Sequence, residues 1–165
     1  MKKIYLTQGQ FTFVDDEDYE FLMQWKWYAH RRDKKYTYYA MRTINGVNKR
    51  QIRMHHAITS KYGIKDYEEL DHIDRNGLNN LKSNLRICSR GENNFNRRNF
   101  GALPKGIVLN KSSYKKKNGE IKEYITYQAK ISVNGKTIFL GNHKELDKAI
   151  KAYKLASKQY YPNFI

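Results

Sequence analysis

The chain contains a single cysteine, Cys88. One thiol excludes an internal disulfide and any zinc site built on cysteines, and it suits a reducing compartment. Long apolar runs are also missing. No stretch approaches the roughly 18 residues of a membrane-spanning helix, and the opening MKKIYLTQGQF has no signal-peptide core. A cytoplasmic protein without a membrane partner is therefore expected. Acids are scarce beside bases: 16 Asp and Glu face 32 Lys and Arg, for a formal net charge of +16. An excess of that size does not bear on fold, but it predicts a polyanionic partner. Aromatics, by contrast, are plentiful. They make up 14% of the chain, with 14 tyrosines, which argues for packed cores rather than disorder. The length of 165 residues allows one domain or two small ones.

The acids are grouped. Five lie in DDEDYE (15–20) and five between Asp66 and Asp74, whereas residues 97–122 hold eight Lys and Arg and only Glu120. The first group reads as a solvated face or loop. Residues 4–14 alternate around a glycine, as short strands or a hairpin do. Tyr36–Ile44 and Val47–Met54 flank Asn45-Gly46, a pair suited to a type I′ turn because both positions tolerate positive φ. From Met54 to Tyr62 the pattern turns helical, with Gly63 as a stop.

Residues 69–87, ELDHIDRNGLNNLKSNLRI, carry the chemistry. The spacing predicts a strand ending at Asp71-His72, a turn opened by Asn76-Gly77, and a return strand through Leu85-Arg86-Ile87. A helix then opens at Ser89, where Ser89 and Glu92 fit a capping box, and runs to about Arg98. Asp71 offers a charged oxygen and Asn93 an amide oxygen, the hard donors that a divalent cation such as magnesium takes while keeping several waters. His72, with an ordinary pKa near 6.5, can take a proton from an attacking water. Strand alternation sends Asp71 and His72 to opposite faces, so both can serve one site only if the strand ends or twists there. Asn76, Asn79 and Asn80 read as turn residues, and so does Asp74.

The blocks MHHAI (54–58), LDHIDRNGLNN (70–80), SNLRI (83–87) and ENNFN (92–96) together resemble the HNH endonuclease family, in particular the small homing endonucleases of bacteriophages with a ββα-metal active site. VDDEDYEFLMQWKWY (14–28) resembles the segment that precedes the motif in those enzymes. The resemblance implies His72 as general base, with Asp71 and Asn93 as ligands of a single magnesium ion, for which manganese substitutes. Asn84 would orient the base or brace the turn. His55 matches the first histidine of the pattern, with a supporting or phosphate-facing role, although adjacent His56 leaves the choice between the two open. It further implies cleavage leaving 5′-phosphate and 3′-hydroxyl ends, inside a phage-infected bacterial cell. His30 and His143 fall outside every block and read as surface residues. Cys88 reads as a small buried apolar side chain.

Residues 99–105, NFGALPK, hold a glycine and one of the two prolines and suit a linker. Beyond it, Tyr124–Val133 alternates: Ile125, Tyr127, Ala129, Ile131 and Val133 share one face, and Thr126, Gln128, Lys130 and Ser132 the other. Asn134-Gly135 predicts a hairpin into 136–141. Glu145–Tyr161 then carries an apolar stripe of Leu146, Ala149, Ile150, Tyr153, Ala156 and Tyr160. KGIVLN (105–110), YQAKISVNGKTIFLG (127–141) and ELDKAIKAYKLASKQYYPNF (145–164) resemble the plant ethylene-response-factor (APETALA-type) DNA-binding domain. Phage HNH enzymes often carry such a domain at the C-terminus. Tyr127 stands where that family has tryptophan, and residues 112–123 are a longer segment than usual. The resemblance implies that the polar sheet face enters the major groove, with Arg97, Arg98 and Lys105 following the DNA backbone.

The expected architecture is therefore α+β. N-terminal hairpins lead into an HNH nuclease domain (1–98, with its ββα-metal core at about 68–98). A linker (99–105) joins it to a three-stranded antiparallel sheet packed on one helix (106–165). The expected activity is site-specific, metal-dependent cleavage of double-stranded DNA by a monomer without an obligate protein partner. A DNA-binding regulator with an inactive nuclease module is the alternative, and it would bind DNA without cutting it. A basic RNA-binding protein is a third possibility, but the sequence lacks a recognisable aromatic stacking pattern.

Overall fold

The computed structural model describes residues 1–44, 50–64 and 69–164. The chain folds as two compact units, Met1–Asn96 and Arg97–Ile165, and among the described residues small antiparallel sheets mix with four α-helices. Among the described residues no helix is long and apolar enough to cross a membrane.

In the first unit, β1 (Lys2–Tyr5) and β2 (Phe11–Val14) pair antiparallel around a turn in which Gln8 and Gly9 are both left-handed. The acidic run then forms a helix, α1 (Asp16–Leu22), with Asp16, Glu17 and Glu20 on its solvated face. Its first-turn acids Asp16, Glu17 and Asp18 complement the positive end of the helix dipole. Asp18 is buried, accepting from Lys61 Nζ at 2.8 Å and Tyr62 Oη at 2.7 Å. A polar side chain at an apolar helix position is thus satisfied from a distant element, something local pattern cannot signal.

Three strands follow, in the order β3 (Tyr28–His30), β4 (Tyr39–Ile44) and β5 (Arg50–Arg53), and form one antiparallel sheet. The Asn45-Gly46 turn lies outside the described residues. The helix α2 (Met54–Lys61) starts where its pattern predicts and stops before Gly63, whose φ of 81° is left-handed. Ile4, Val14, Leu22, Trp27, Ala40, Met54, Ala57 and Ile58 make one core joining the hairpin, α1, the sheet and α2. Burying each large aliphatic side chain there stabilises by about 1.5–3 kcal/mol.

Onto this base are set β6 (Glu69–His72), β7 (Leu85–Cys88) and α3 (Arg90–Asn96), in the strand–strand–helix order expected. The capping box forms: Ser89 N–H donates to Glu92 Oε2 and Glu92 N–H to Ser89 Oγ. The helix ends at Asn96, two residues earlier than expected. In the turn the left-handed residue is Arg75, with φ 65°, and not Asn76 or Gly77. Gly77 is needed for space instead, because a Cβ there would lie 2.4 Å from Tyr38 O and 2.6 Å from the Tyr39 ring. Cys88 is half-buried rather than buried, and burial followed by the neighbouring Asp71 and Glu92 pushes its thiol up to about 11.

In the second unit, β8 (Ile107–Lys115), β9 (Ile121–Val133) and β10 (Lys136–His143) form an antiparallel sheet in the order β10-β9-β8, followed by α4 (Leu146–Tyr160). Residues 97–105 cluster with this unit, and Leu103 packs on its core of Ile107, Ala129 and Ala149. Asn134 and Gly135 are both left-handed, as a type I′ turn requires. Of the apolar face, Ala129 and Ile131 are buried, whereas Ile125 is 50% exposed. The longer segment 112–123 is mostly strand. It lengthens β8 and β9 into an exposed ribbon on which Tyr114 and Tyr124 stack at 5.5 Å.

Candidate active site

The β6–β7 register explains the first contact of the site. Asp71 lies directly opposite Arg86, so the guanidinium reaches its carboxylate. Arg86 Nη2 is 2.7 Å and Nε 3.1 Å from Asp71 Oδ2. Asn96, in the last turn of α3, adds Nδ2 at 2.8 Å to the same oxygen and at 3.0 Å to the His72 carbonyl. Arg75 Nε donates to Asn96 Oδ1 at 3.1 Å, which fixes that amide. Every described hydrogen bond to the Asp71 carboxylate thus falls on Oδ2.

Asn93, the expected partner of Asp71, is one turn earlier on α3 and donates from Nδ2 to Glu69 Oε2 at 3.0 Å. Glu69 precedes Asp71 by two residues on β6, so α3 faces the strand with two rungs, Asn93 on Glu69 and Asn96 on Asp71. Sequence reasoning named Asn93 and missed Asn96. The i, i+3 spacing of the two asparagines was the available signal.

His72 closes β6 with 5% of its surface exposed. Its ring meets Tyr39 edge-on at 5.8 Å and His55 at 4.8 Å, while Asp71 turns to α3 and Arg86. Both side chains are buried although alternation separates them, because β6 ends here and has protein on each side. Burial holds the His72 ring below its usual 6.5, partly offset by Asn80 and the carboxylates of Asp74 and Asp71. Burial thus favours the neutral ring. His72 Nε2 faces Asn80 Oδ1 at 3.2 Å. Asn80 is therefore no mere turn residue: it is fully buried and also bonds Thr12.

Asn84 braces the turn and makes no described bond to His72. Its Nδ2 donates to Asp74 Oδ1 and Asn79 O, and its Oδ1 accepts the Asp74 N–H. Asp74 shapes the turn, as expected. Burial alone would raise its carboxyl, but bonds from Asn79, the Asn76 N–H and Asn84 outweigh that and hold it below the usual range.

His55 is 3% exposed and packs between Tyr39, His56 and His72. Burial, then His72, His56 and Arg53, hold its ring well below 6.5. It packs on the His72 ring, whereas His56 faces a cavity of about 340 Å³ lined also by Met41, Arg50, Gln51, Ile52 and Arg53. The two arginines of that cavity, absent from the expected site, give it the charge a phosphate needs. Of the two histidines outside the motif, His30 is exposed as expected. His143 is half-buried, and its Nε2 is enclosed without a hydrogen-bond partner.

No group of three or more His, Cys, Asp and Glu side chains among the described residues could hold a metal ion. Asp71 Oδ1 is the carboxylate oxygen left by the three donors on Oδ2, and Asn93 donates through Nδ2, which leaves its amide oxygen; both are oxygen donors of the type a hard cation takes.

In the second unit, Lys130 and Ser132 are exposed and Thr126 and Gln128 half-buried on the sheet face away from Ala129 and Ile131. Register sets Lys130 beside Phe139, which is 58% exposed, and Gln128 between Val108 and Asn142. Arg97 and Arg98 are exposed, and Lys105 donates to Arg97 O at 3.1 Å.

Comparison with known proteins agrees with the nuclease reading. No protein-family model matches the chain, and no solved structure matches it significantly. Over 158 residues, 95% of this chain and 74% of the other, it is 27% identical to a protein of Acanthamoeba polyphaga mimivirus named as an uncharacterized HNH endonuclease, L560. That likeness, spanning both units, supports an HNH nuclease.

Proposed function

We propose that this chain is a divalent-metal-dependent DNA endonuclease of the homing type. The observation that carries the reading is the pairing of consecutive buried groups at the end of β6. Asp71 is a carboxylate held by Arg86 and Asn96, and His72 is a neutral imidazole held by Asn80. Asp71 and Asn93 would hold one magnesium ion, which when bound supplies positive charge to the scissile phosphate and the leaving oxygen. His72 takes the proton of the attacking water. His55 and Tyr39 exclude solvent from its ring, so the base stays unprotonated near neutral pH. Arg50, Arg53 and His56 line the cavity that receives the phosphate backbone. Manganese is expected to replace magnesium, with ends carrying 5′-phosphate and 3′-hydroxyl.

The second unit supplies duplex recognition in the manner of the ethylene-response-factor domain it resembles. Lys130 and Gln128 suit base edges, Thr126 and Ser132 suit phosphate or base contacts, and Arg97, Arg98 and Lys105 follow the backbone. Two weak contacts on one chain raise each other's effective concentration when both can engage. Cleavage of a randomised duplex library with magnesium tests the reading and maps the site. His72→Ala and Asp71→Ala should each abolish cutting while leaving salt-sensitive binding intact. Binding without cleavage under any divalent ion would make the protein a regulator instead.

A further inference from the structure

We infer that Thr12 and Asn80 are positioning residues for the base: they fix the His72 ring with its proton on Nε2 and leave Nδ1 as the atom that accepts the proton from water. The directions of three hydrogen bonds carry this, and it rests on the reading of His72 as the base. The Leu78 carbonyl has no proton to give, so the Thr12 hydroxyl donates to it at 2.7 Å. Thr12 Oγ1 can then meet Asn80 only as an acceptor, which turns Asn80 Nδ2 toward it at 2.8 Å. That leaves Asn80 Oδ1 facing His72 Nε2 at 3.2 Å, where only an N–H satisfies it.

A reversed Asn80 amide would set its oxygen against an oxygen and its N–H group against the ring. Thr12 and Asn80 are both 0% exposed, so no solvent reaches the pair to repair the mismatch. Backbone bonds hold the geometry from outside: Phe13 N–H donates to Leu78 O at 3.0 Å, and Asn80 N–H to Phe13 O at 2.9 Å. The N-terminal hairpin, 68 residues before Asn80 in sequence, is therefore part of the site. A neutral imidazole carries one proton, and the partner of one nitrogen decides the role of the other. With the proton on Nδ1, the ring would offer a donor where the reaction needs an acceptor.

The protonation pattern can be read independently of cleavage, by long-range proton–nitrogen NMR correlation on full-length protein with isotope-labelled histidine, assigned through His72→Gln. The expected result is a pyrrole-like Nε2 and a pyridine-like Nδ1 at His72. A His72 proton on Nδ1 overturns the inference whatever the variants do. Thr12→Val keeps the shape and removes the hydroxyl. It should shift His72 toward a mixture of tautomers and lower kcat by about 100-fold, the low end of what a positioned base contributes, with KM for DNA unchanged. Thr12→Ser should restore both. An unchanged tautomer and rate in a Thr12→Val protein of native tryptophan fluorescence would remove the relay and leave the nuclease reading standing. Should Thr12→Val not fold, Thr12→Ala and the unmodified protein's tautomer decide the matter. An unmodified protein that cleaves nothing fails the nuclease reading, and the ring's protonation then decides the relay alone.

Discussion

Burying an imidazole that must stay neutral makes the first unit sensitive to mild acid. His55 is 3% exposed, and its ring is held well below 6.5 by burial and by neighbouring His72, His56 and Arg53. As pH falls, the unfolded chain takes up this proton first, near 6.5, while the folded chain refuses it. Stability is therefore fully present above that value and is lost as pH drops through it toward the folded pKa. The limiting slope is about 1.4 kcal/mol per pH unit for one histidine, so between about pH 7.5 and about pH 5.5 His55 costs up to about 1.4 kcal/mol. With a urea slope of about 2 kcal/mol/M, that moves the midpoint by about 0.7 M. Trp25 and Trp27 are the two tryptophans of the chain and both belong to the first unit, so their fluorescence reports that unit alone. His55→Phe preserves an aromatic ring against Tyr39 and His72 but cannot titrate. Its urea midpoint should differ between the two pH values by correspondingly less than that of the unmodified protein. Equal pH dependence in the two proteins, or a wild-type midpoint that rises in acid, would refute the reasoning. The carboxyl of Asp74, held below 3.8, titrates under this window and does not confuse it.

The two asparagines of α3 should separate cleanly. Asn96→Ala removes buried bonds to Asp71 and the His72 carbonyl and should cost about 1–3 kcal/mol, read by the same fluorescence. Asn93→Ala, at a solvent-exposed bond, should change stability by under about 0.5 kcal/mol yet raise the magnesium concentration needed for cleavage. Gly77→Ala forces a methyl into Tyr38 O and the Tyr39 ring that packs on His72. It should cost about 1–3 kcal/mol and lower kcat as well, measured by urea titration and plasmid cleavage. Lys130→Ala should weaken DNA binding, and if Lys130 meets a phosphate rather than a base, the slope of log affinity against log salt should fall by about 1.

Local signals were legible wherever a few neighbouring residues settle the conformation by themselves. The left-handed pair Asn134-Gly135, the box of Ser89 and Glu92, the stop at Gly63 and the stripe along α4 all involve contacts within one turn of chain. The same holds for β6, its return strand and the following helix, whose chemistry-bearing residues stand at readable spacing. The excess of 16 positive charges likewise points to a polyanionic partner without any fold. What escaped was each choice made by packing. Asp18 reads as a solvated acid until Lys61 and Tyr62 arrive from α2 and its end. Gly77 reads as a turn glycine until the Tyr39 ring occupies the space of its Cβ. Asn96 rather than Asn93 bonds Asp71 because of how α3 lies against β6, an angle that neither element encodes. The sequence alone determined that a carboxylate and an imidazole stand side by side at a strand end. Which atoms of each remain available was decided only in three dimensions. There a threonine 68 residues before Asn80 sets the direction of its amide, because buried donors and acceptors must all be matched at once.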